Sequence, residues 1–283
     1  MEEKEYTGWK VWTPTVDEFV DLYQNNKCPL DLLENEYLIV MDQNDGTVNG
    51  TYKKKNGNLE KVNRAPIKIK DPKDGRVNKV FNPRNPEQVC AFDLLHDDST
   101  PVKLITGKWG TGKTMMLVTA ALEALREKRY EKIVWIRNNV DVKDTKDIGA
   151  VPGSTIEKLW AYLGPFVDHV GEKMKVEKMI NEGQLEIEPL QSLRGRNIEN
   201  AIIICSEAEN LTKEHIQLII ARAAEGSAVW LDGDTRQRDK TAFEKSKGLE
   251  TMIKKLAGDP LFGYVKLIKT ERSATAALAD KLD

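Results

Sequence analysis

Eight consecutive residues, Gly107-Lys108-Trp109-Gly110-Thr111-Gly112-Lys113-Thr114, have the types and spacing of a phosphate-wrapping loop, G-x-x-x-x-G-K-[ST]. Gly107 and Gly112 lack a Cβ, so the backbone can turn its N–H groups inward onto phosphate oxygens. Lys113 brings a point charge to the β- and γ-phosphates, and the Thr114 hydroxyl is the expected oxygen ligand of Mg²⁺. At average residue usage the pattern arises by chance in about one sequence of this length in a hundred. The implied chemistry is therefore binding of a nucleoside triphosphate, with all eight loop residues as its candidate contacts.

Such a loop needs acidic partners at the ends of neighbouring buried strands. The apolar run Ala201-Ile202-Ile203-Ile204-Cys205 leads into Ser206-Glu207-Ala208-Glu209-Asn210, where Glu207 is placed to orient or deprotonate an attacking water. A solvated carboxylate at a helix start is the plainer alternative. Ser206 stands where an aspartate ordinarily joins Thr114 beside the metal, and a hydroxyl is a weaker partner for that shell. A second run, Ala228–Leu231, leads into Asp232-Gly233-Asp234-Thr235-Arg236-Gln237. Here Asp234 is expected near the metal and Gln237 near the γ-phosphate, although Asp-Gly-Asp is also an ordinary turn. Arginine completes many phosphoryl-transfer sites because its planar fork neutralises charge on the γ-phosphate. The candidates are Arg194, Arg196, Arg222 and Arg272, each of which would serve equally well in a surface ion pair.

The elements that must position these residues are legible in the hydrophobic pattern. Val102–Thr106 reads as the strand entering the loop, and residues 114–127 read as the helix leaving it, so the helix N-terminus faces the phosphates. Further strands are predicted near 132–136, 185–188, 201–205, 228–232 and 264–268. Helices are predicted near 155–169, 172–182, 212–223, 248–256 and 274–282. This alternation implies a mainly parallel sheet covered on both faces, an α/β core, and the resemblance of its phosphate loop to those of P-loop proteins implies a RecA-like arrangement. Upstream, Asn85-Pro86-Glu87-Gln88 opens a helix that turns Val89, Phe92, Leu94 and Leu95 inward. Thr15 and Glu18 form a capping box for a helix through Tyr23. Tyr37–Met41 and Pro66–Lys70 read as strands, with turn signals at Asp45-Gly46 and Asn56-Gly57. Residues 1–80 thus form a small, mostly β module ahead of a domain spanning 81–283.

Composition sets the wider limits. Of 283 residues, 40% are hydrophobic and 31% charged, with a net charge of −2, so bulk charge does not advertise nucleic acid. The charge is nonetheless uneven. Residues 1–50 hold 3 Lys/Arg against 11 Asp/Glu, while residues 51–80 hold 10 against 3. That basic block reads either as a solvated hairpin or as a phosphate-contacting patch. Cys28, Cys90 and Cys205 and the histidines His96, His169 and His215 show no disulfide or zinc spacing. The acidic N-terminus is unlike a targeting signal, and no apolar run approaches the ~20 residues of a membrane helix. A cytoplasmic protein without membrane contact is expected.

Taken in order, these motifs resemble the PhoH family, P-loop ATPases related to the core of superfamily 1 helicases. The resemblance covers residues 80–283. It rests on the loop, Gly149–Gly153 with Glu157-Lys158, Leu193–Arg196, Ser206–Asn210, Gly233–Gln237, and Glu271-Arg272-Ser273 with Ala276–Leu278. It implies ATP and Mg²⁺ as cofactors and ATP hydrolysis, with Lys113, Glu207, Asp234, Gln237 and Arg272 as the catalytic set. It also implies single-stranded RNA as partner and a homo-oligomer, with a hexameric ring as one form. Gln88 sits where related helicases read adenine, since an amide can pair with the N6 and N7 edge. Three departures stand out. The family has Asp-Glu-Ala-Gln where this chain has Ser206-Glu207-Ala208-Glu209, and Lys108 and Trp109 replace small residues. The segment before the core is also shorter than the roughly 130-residue PIN nuclease domain that some members carry, so no nuclease activity is expected. Against the RNA-linked ATPase stands a nucleotide-gated binding module that hydrolyses little because of Ser206. Restoring the acid, Ser206→Asp, discriminates: a large gain in turnover supports a damped ATPase, and no gain points to compensation by Asp232 or Asp234. A small-molecule kinase shares the loop but not the water-orienting Glu207.

Overall fold

The computed structural model describes residues 5–63, 66–70, 77–137, 163–170, 173–235 and 247–271. The fold is α/β with a six-stranded, all-parallel sheet plus a small N-terminal β-sheet. The chain divides into two compact units: residues 1–111 with 253–283, and residues 112–252.

The first unit begins with four short strands, β1 (Trp9–Trp12), β2 (Tyr37–Met41), β3 (Val48–Lys55) and β4 (Asn58–Lys61), ordered β1-β2-β3-β4. β1 runs parallel to β2, and the other neighbours are antiparallel. Helix α1 (Val16–Asn25) starts on the expected capping box: Thr15 Oγ1 accepts from the Glu18 N–H, and Glu18 returns a carboxylate to the Thr15 N–H. Its Leu22 joins Trp12, Leu32, Leu38, Val40, Tyr52 and Leu59 in a core of its own. A separate hairpin pairs β5 (Ile67–Lys70) with β6 (Val77–Phe81).

The same unit holds helix α2 (Pro86–His96), the loop-entering strand β7 (Val102–Gly107) and β12 (Phe262–Leu267). β7 and β12 pair in parallel, in register from Val102↔Phe262 to Gly107↔Leu267. α2 turns Phe92, Leu94 and Leu95 fully inside, while Val89, expected inward, is only half-buried. Several bonds fasten the N-terminal sheet here. The Asn35 amide donates to the carbonyls of Pro260 and Phe262, at 3.0 Å each, and the Trp9 indole donates to Lys266 O at 2.8 Å. Asp97, at the C-terminal end of α2, pairs with Lys53 and, at 2.8 Å, with Lys55. Those two members of the basic block are thus part of an internal ion-pair network. Within that block, they support neither the solvated hairpin nor the phosphate patch.

The second unit contains α3 (Lys113–Arg126), β8 (Lys132–Arg137), α4 (Gly164–Val170), α5 (Lys173–Asn181), β9 (Leu185–Pro189), β10 (Ala201–Cys205), α6 (Lys213–Ile220), β11 (Ala228–Gly233) and the start of α7 (Gly248–Leu256). Its strands are parallel in the order β11-β10-β8-β9. β10 is therefore flanked on both sides, which is why Ala201–Cys205 is apolar without alternation and wholly buried. α3 supplies Met116, Leu117, Val118, Ala120, Ala121 and Ala124 to the core. Every strand expected of the core is found within two residues of its expected position. The helix expected at 274–282 and most of that at 155–169 lie outside the described residues.

Candidate functional site

The site begins with how the loop is built. Gly107 closes β7, and a Cβ there would lie 2.5 Å from Leu267 O and 3.0 Å from Thr111 Oγ1. No larger residue fits without moving β12. Gly112 takes φ +89°, in the left-handed region that disfavours side chains, and serves as the N-cap of α3. The contrast with the other helices is informative. Thr15, Asn85 and Thr212 each cap a first turn with a side-chain oxygen. Gly112 offers no such oxygen, and a helix start that follows a glycine-rich loop without a side-chain cap is the arrangement that receives phosphate.

In the first unit, α2 braces the loop. Gln88 is buried; its Nε2 donates to Thr111 O at 3.0 Å, and its Oε1 accepts from the Arg84 N–H at 2.9 Å. These bonds use one donor and one acceptor of the amide. Glu271 adds a second brace. Its N–H donates to Gly110 O at 3.0 Å, and its carboxylate accepts from the Asn85 amide at 2.9 Å. Asn85 and Glu271 carry no motif signature of this role beyond Glu271's place in Glu-Arg-Ser. Lys108 is half-buried, and Trp109 is 43% exposed.

In the second unit, Lys113 and Thr114 open α3, and the Thr114 hydroxyl donates to Asp232 Oδ2 at 2.6 Å. Asp232 is 1% exposed. Its other oxygen accepts from the Glu207 N–H at 3.0 Å. Glu207 follows β10 by two residues and takes φ +56°, ψ +45°, a conformation that costs a residue with a Cβ roughly 1–2 kcal/mol. The bond to Asp232 helps to hold it there, with the residue exposed. Asp234 is buried, and its N–H donates to Glu209 Oε2 at 3.2 Å. Burial, joined by the charges of Asp232 and Glu207, pushes the Glu209 carboxyl up to about 7.

The structure thus links Thr114, Asp232 and Glu207 by one chain of hydrogen bonds, and Asp234 with Glu209 by another at the same two strand ends. Ser206 is half-buried, but the carboxylate against Thr114 belongs to Asp232. The arginine candidates are placed differently. Arg196 forks between Glu188, at 2.5 Å, and Glu186, at 3.0 Å, on β9. Arg222 donates to Arg196 O at 3.3 Å, and Arg194 is exposed. Gln237, Arg272 and the Gly149–Gly153 segment lie outside the described residues.

A hard cation bound with a nucleotide fits this donor set. The described residues hold no group of three or more His, Cys, Asp or Glu suited to caging a metal. Mg²⁺, however, takes one or two protein oxygens and completes its shell with phosphates and water. A hydroxyl and a carboxylate at a phosphate loop are that kind of partial set. Among the described residues, no helix is long and apolar enough to cross a membrane.

Comparison with known proteins agrees with the geometry. The family described as PhoH-like protein matches residues 80–278. Protein PhoH2 of Mycolicibacterium smegmatis is 34% identical over 206 residues, covering 70% of this chain and 46% of that protein. Protein PhoH2 of Bacillus subtilis is 35% identical over 211 residues, covering 71% and 47%. A PhoH-like protein of Mycobacterium tuberculosis is 32% identical over 181 residues, covering 63% and 50%. The chain spans about half the length of these curated relatives. The flagellar accessory protein FlaH from Methanocaldococcus jannaschii covers 56% of this chain and 68% of its own. At 13% identity and a TM-score of 0.29, it is too distant to argue from. The family match takes in the loop, both acid-bearing strand ends and most of the chain, and the chain belongs to the PhoH family of P-loop proteins.

Proposed function

We propose that this protein binds ATP with Mg²⁺ on the loop Gly107–Thr114 and hydrolyses it, and that turnover is linked to single-stranded RNA. The observation that carries the nucleotide part is the chain of bonds from the Thr114 hydroxyl to Asp232 and from Asp232 to the Glu207 backbone. It joins the phosphate loop to the water-orienting acid. In this reading Lys113 neutralises β- and γ-phosphate charge, and the first-turn N–H groups of α3 hold the phosphates. Mg²⁺, when bound, draws electron density from the phosphoryl oxygens. Glu207 orients the attacking water and accepts its proton, and Asp234 and Gln237 respond to the γ-phosphate. Arg272, or an arginine of a neighbouring subunit in a homo-oligomer, takes up developing charge. The RNA link and the oligomer, ring-shaped or otherwise, rest on family membership. Lys53 and Lys55 lend the RNA link no support, since both are engaged by Asp97.

The test is steady-state Mg²⁺-dependent ATP turnover with and without single-stranded RNA, with Glu207→Gln as the blank. Trp109, exposed within the loop, offers a fluorescence signal for nucleotide binding, with Trp109→Phe as its control. Turnover that rises with RNA and vanishes in the blank supports the proposal. Binding without turnover above the blank favours the nucleotide-gated module that Ser206 suggests. Turnover indifferent to every RNA and single-stranded DNA removes the RNA link.

A further inference from the structure

We infer that Asp232 supplies the metal-side carboxylate of this site, in place of the acid missing at Ser206, and at the same time positions Glu207. The inference deepens the nucleotide reading above and rests on it.

Sheet geometry explains how one strand can substitute for another. β10 and β11 are parallel neighbours, in register from Ile202↔Ala228 to Cys205↔Leu231. Continued by one residue, that register sets Ser206 beside Asp232. Partnered residues of adjacent strands share a face, so an acid at either position leaves the sheet from the same side. In this chain the acid is on β11, and the structure places it against the loop's threonine, with Asp232 Oδ2 only 2.6 Å from Thr114 Oγ1. That contact orients the threonine. Its single hydroxyl proton goes to the carboxylate, which leaves both lone pairs of Oγ1 for a cation.

The second bond sets Asp232 apart from a buried acid that merely found a donor. Its Oδ1 receives the Glu207 N–H, and Glu207 is one of few non-glycine residues with positive φ among the described residues. The carboxylate that faces the cation therefore also fixes the backbone of the residue that orients water. Asp232 is 1% exposed, and a buried carboxylate is costly unless paired or bound to a cation. The two hydrogen bonds meet part of that cost, and a metal with bound nucleotide would meet more.

The experiment measures ADP binding by calorimetry in excess Mg²⁺ and in EDTA, with Mn²⁺ binding followed by electron paramagnetic resonance in the presence of ADP. Asp232→Asn keeps an oxygen for the Glu207 N–H but removes the charge. It is expected to lose about tenfold or more of the Mg²⁺-dependent gain in ADP affinity and to weaken Mn²⁺ binding similarly. Its affinity in EDTA should stay within about twofold of the parent. The double variant Ser206→Asp with Asp232→Asn moves the acid one strand over and should recover most of the Mg²⁺-dependent gain. A purely structural aspartate would not be rescued from position 206. Ser206→Asp alone needs no loss of a buried group to be tolerated, and it should bring no gain in Mg²⁺ dependence. An Asp232→Asn protein with undiminished Mg²⁺ dependence overturns the inference, as does an about tenfold gain in Ser206→Asp alone. The underlying reading fails separately: in that case the parent binds no ADP in either condition and is indistinguishable from Lys113→Ala.

Discussion

Replacing Asp97 with asparagine keeps the side chain's size but removes its negative charge and one acceptor oxygen, which makes it a sharp test of how the first unit is held together. Its Oδ1 accepts from the Ser99 N–H at 3.0 Å and its Oδ2 from Thr100 Oγ1 at 3.0 Å; an asparagine oxygen keeps the Ser99 bond, while its NH2 group replaces the oxygen that faces Thr100 and the lysines. What disappears is the counter-charge for Lys53 and Lys55, whose side chains are only 5% and 15% exposed. Removing one partner of a buried pair costs about 3–5 kcal/mol, because the survivor stays buried and charged. Asp97 is 19% exposed, so water reaches the site in part, and a loss of about 2–3 kcal/mol is expected. The further variant Asp97→Asn with Lys53→Met removes the stranded charge as well, and should recover about half of that loss.

The pH dependence supplies an independent check. Burial alone would raise the Asp97 carboxyl, but Lys53 and Lys55, with hydrogen bonds, hold it well below the usual carboxylate range. A depressed folded pKa contributes stability that is complete above the unfolded pKa of about 3.9 and is lost as pH falls toward the folded value. The gap between parent and Asp97→Asn, read from urea unfolding by tryptophan fluorescence, should therefore be constant from about pH 5 to 8 and narrow below about pH 4. A gap under about 0.5 kcal/mol at pH 7 would refute the reasoning. So would a double variant less stable than Asp97→Asn.

Three further outcomes are expected. Glu209, raised from 4.5 to about 7 by burial and by the charges of Asp232 and Glu207, makes the metal-free parent lose stability as pH rises through that window. The sign is that of an acid holding a proton the unfolded chain has released, so the melting advantage of Glu209→Gln in EDTA should grow from pH 5 to about 8 and then level, and parallel curves would dismiss it. Gly248→Ala places a methyl 2.2 Å from Leu211 O; that backbone oxygen cannot rotate away, so a loss of about 3 kcal/mol is expected, and an unchanged melting point would mean that α7 has room to shift. Thr15→Ala removes the hydroxyl that accepts from the Glu18 N–H and donates to the Glu18 carboxylate, leaving only the backbone half of the capping box, and should cost about 1 kcal/mol with ADP affinity unaltered, whereas a change in that affinity would tie α1 to the nucleotide.

Much of this protein is written locally. The phosphate loop is eight contiguous residues, the capping box of α1 is four, and β10 shows in five successive buried apolar side chains. Each depends on groups a few residues apart, and short-range sterics and hydrogen bonding act before any fold exists. The acids at the two strand ends were legible for the same reason, as polar residues closing buried runs. Which of them meets the loop was not. Thr114 and Asp232 are 118 residues apart, and their bond exists because α3 packs against β11. Likewise Arg196 looked available for a phosphate until β9 brought Glu186 and Glu188 against it, and Lys53 looked like part of a basic surface until α2 delivered Asp97. A charge pattern along a chain fixes the types and the spacing. Strand order, register and burial choose the partner, because carboxylates, ammonium groups and guanidinium groups pair with whatever the fold carries within a few ångströms.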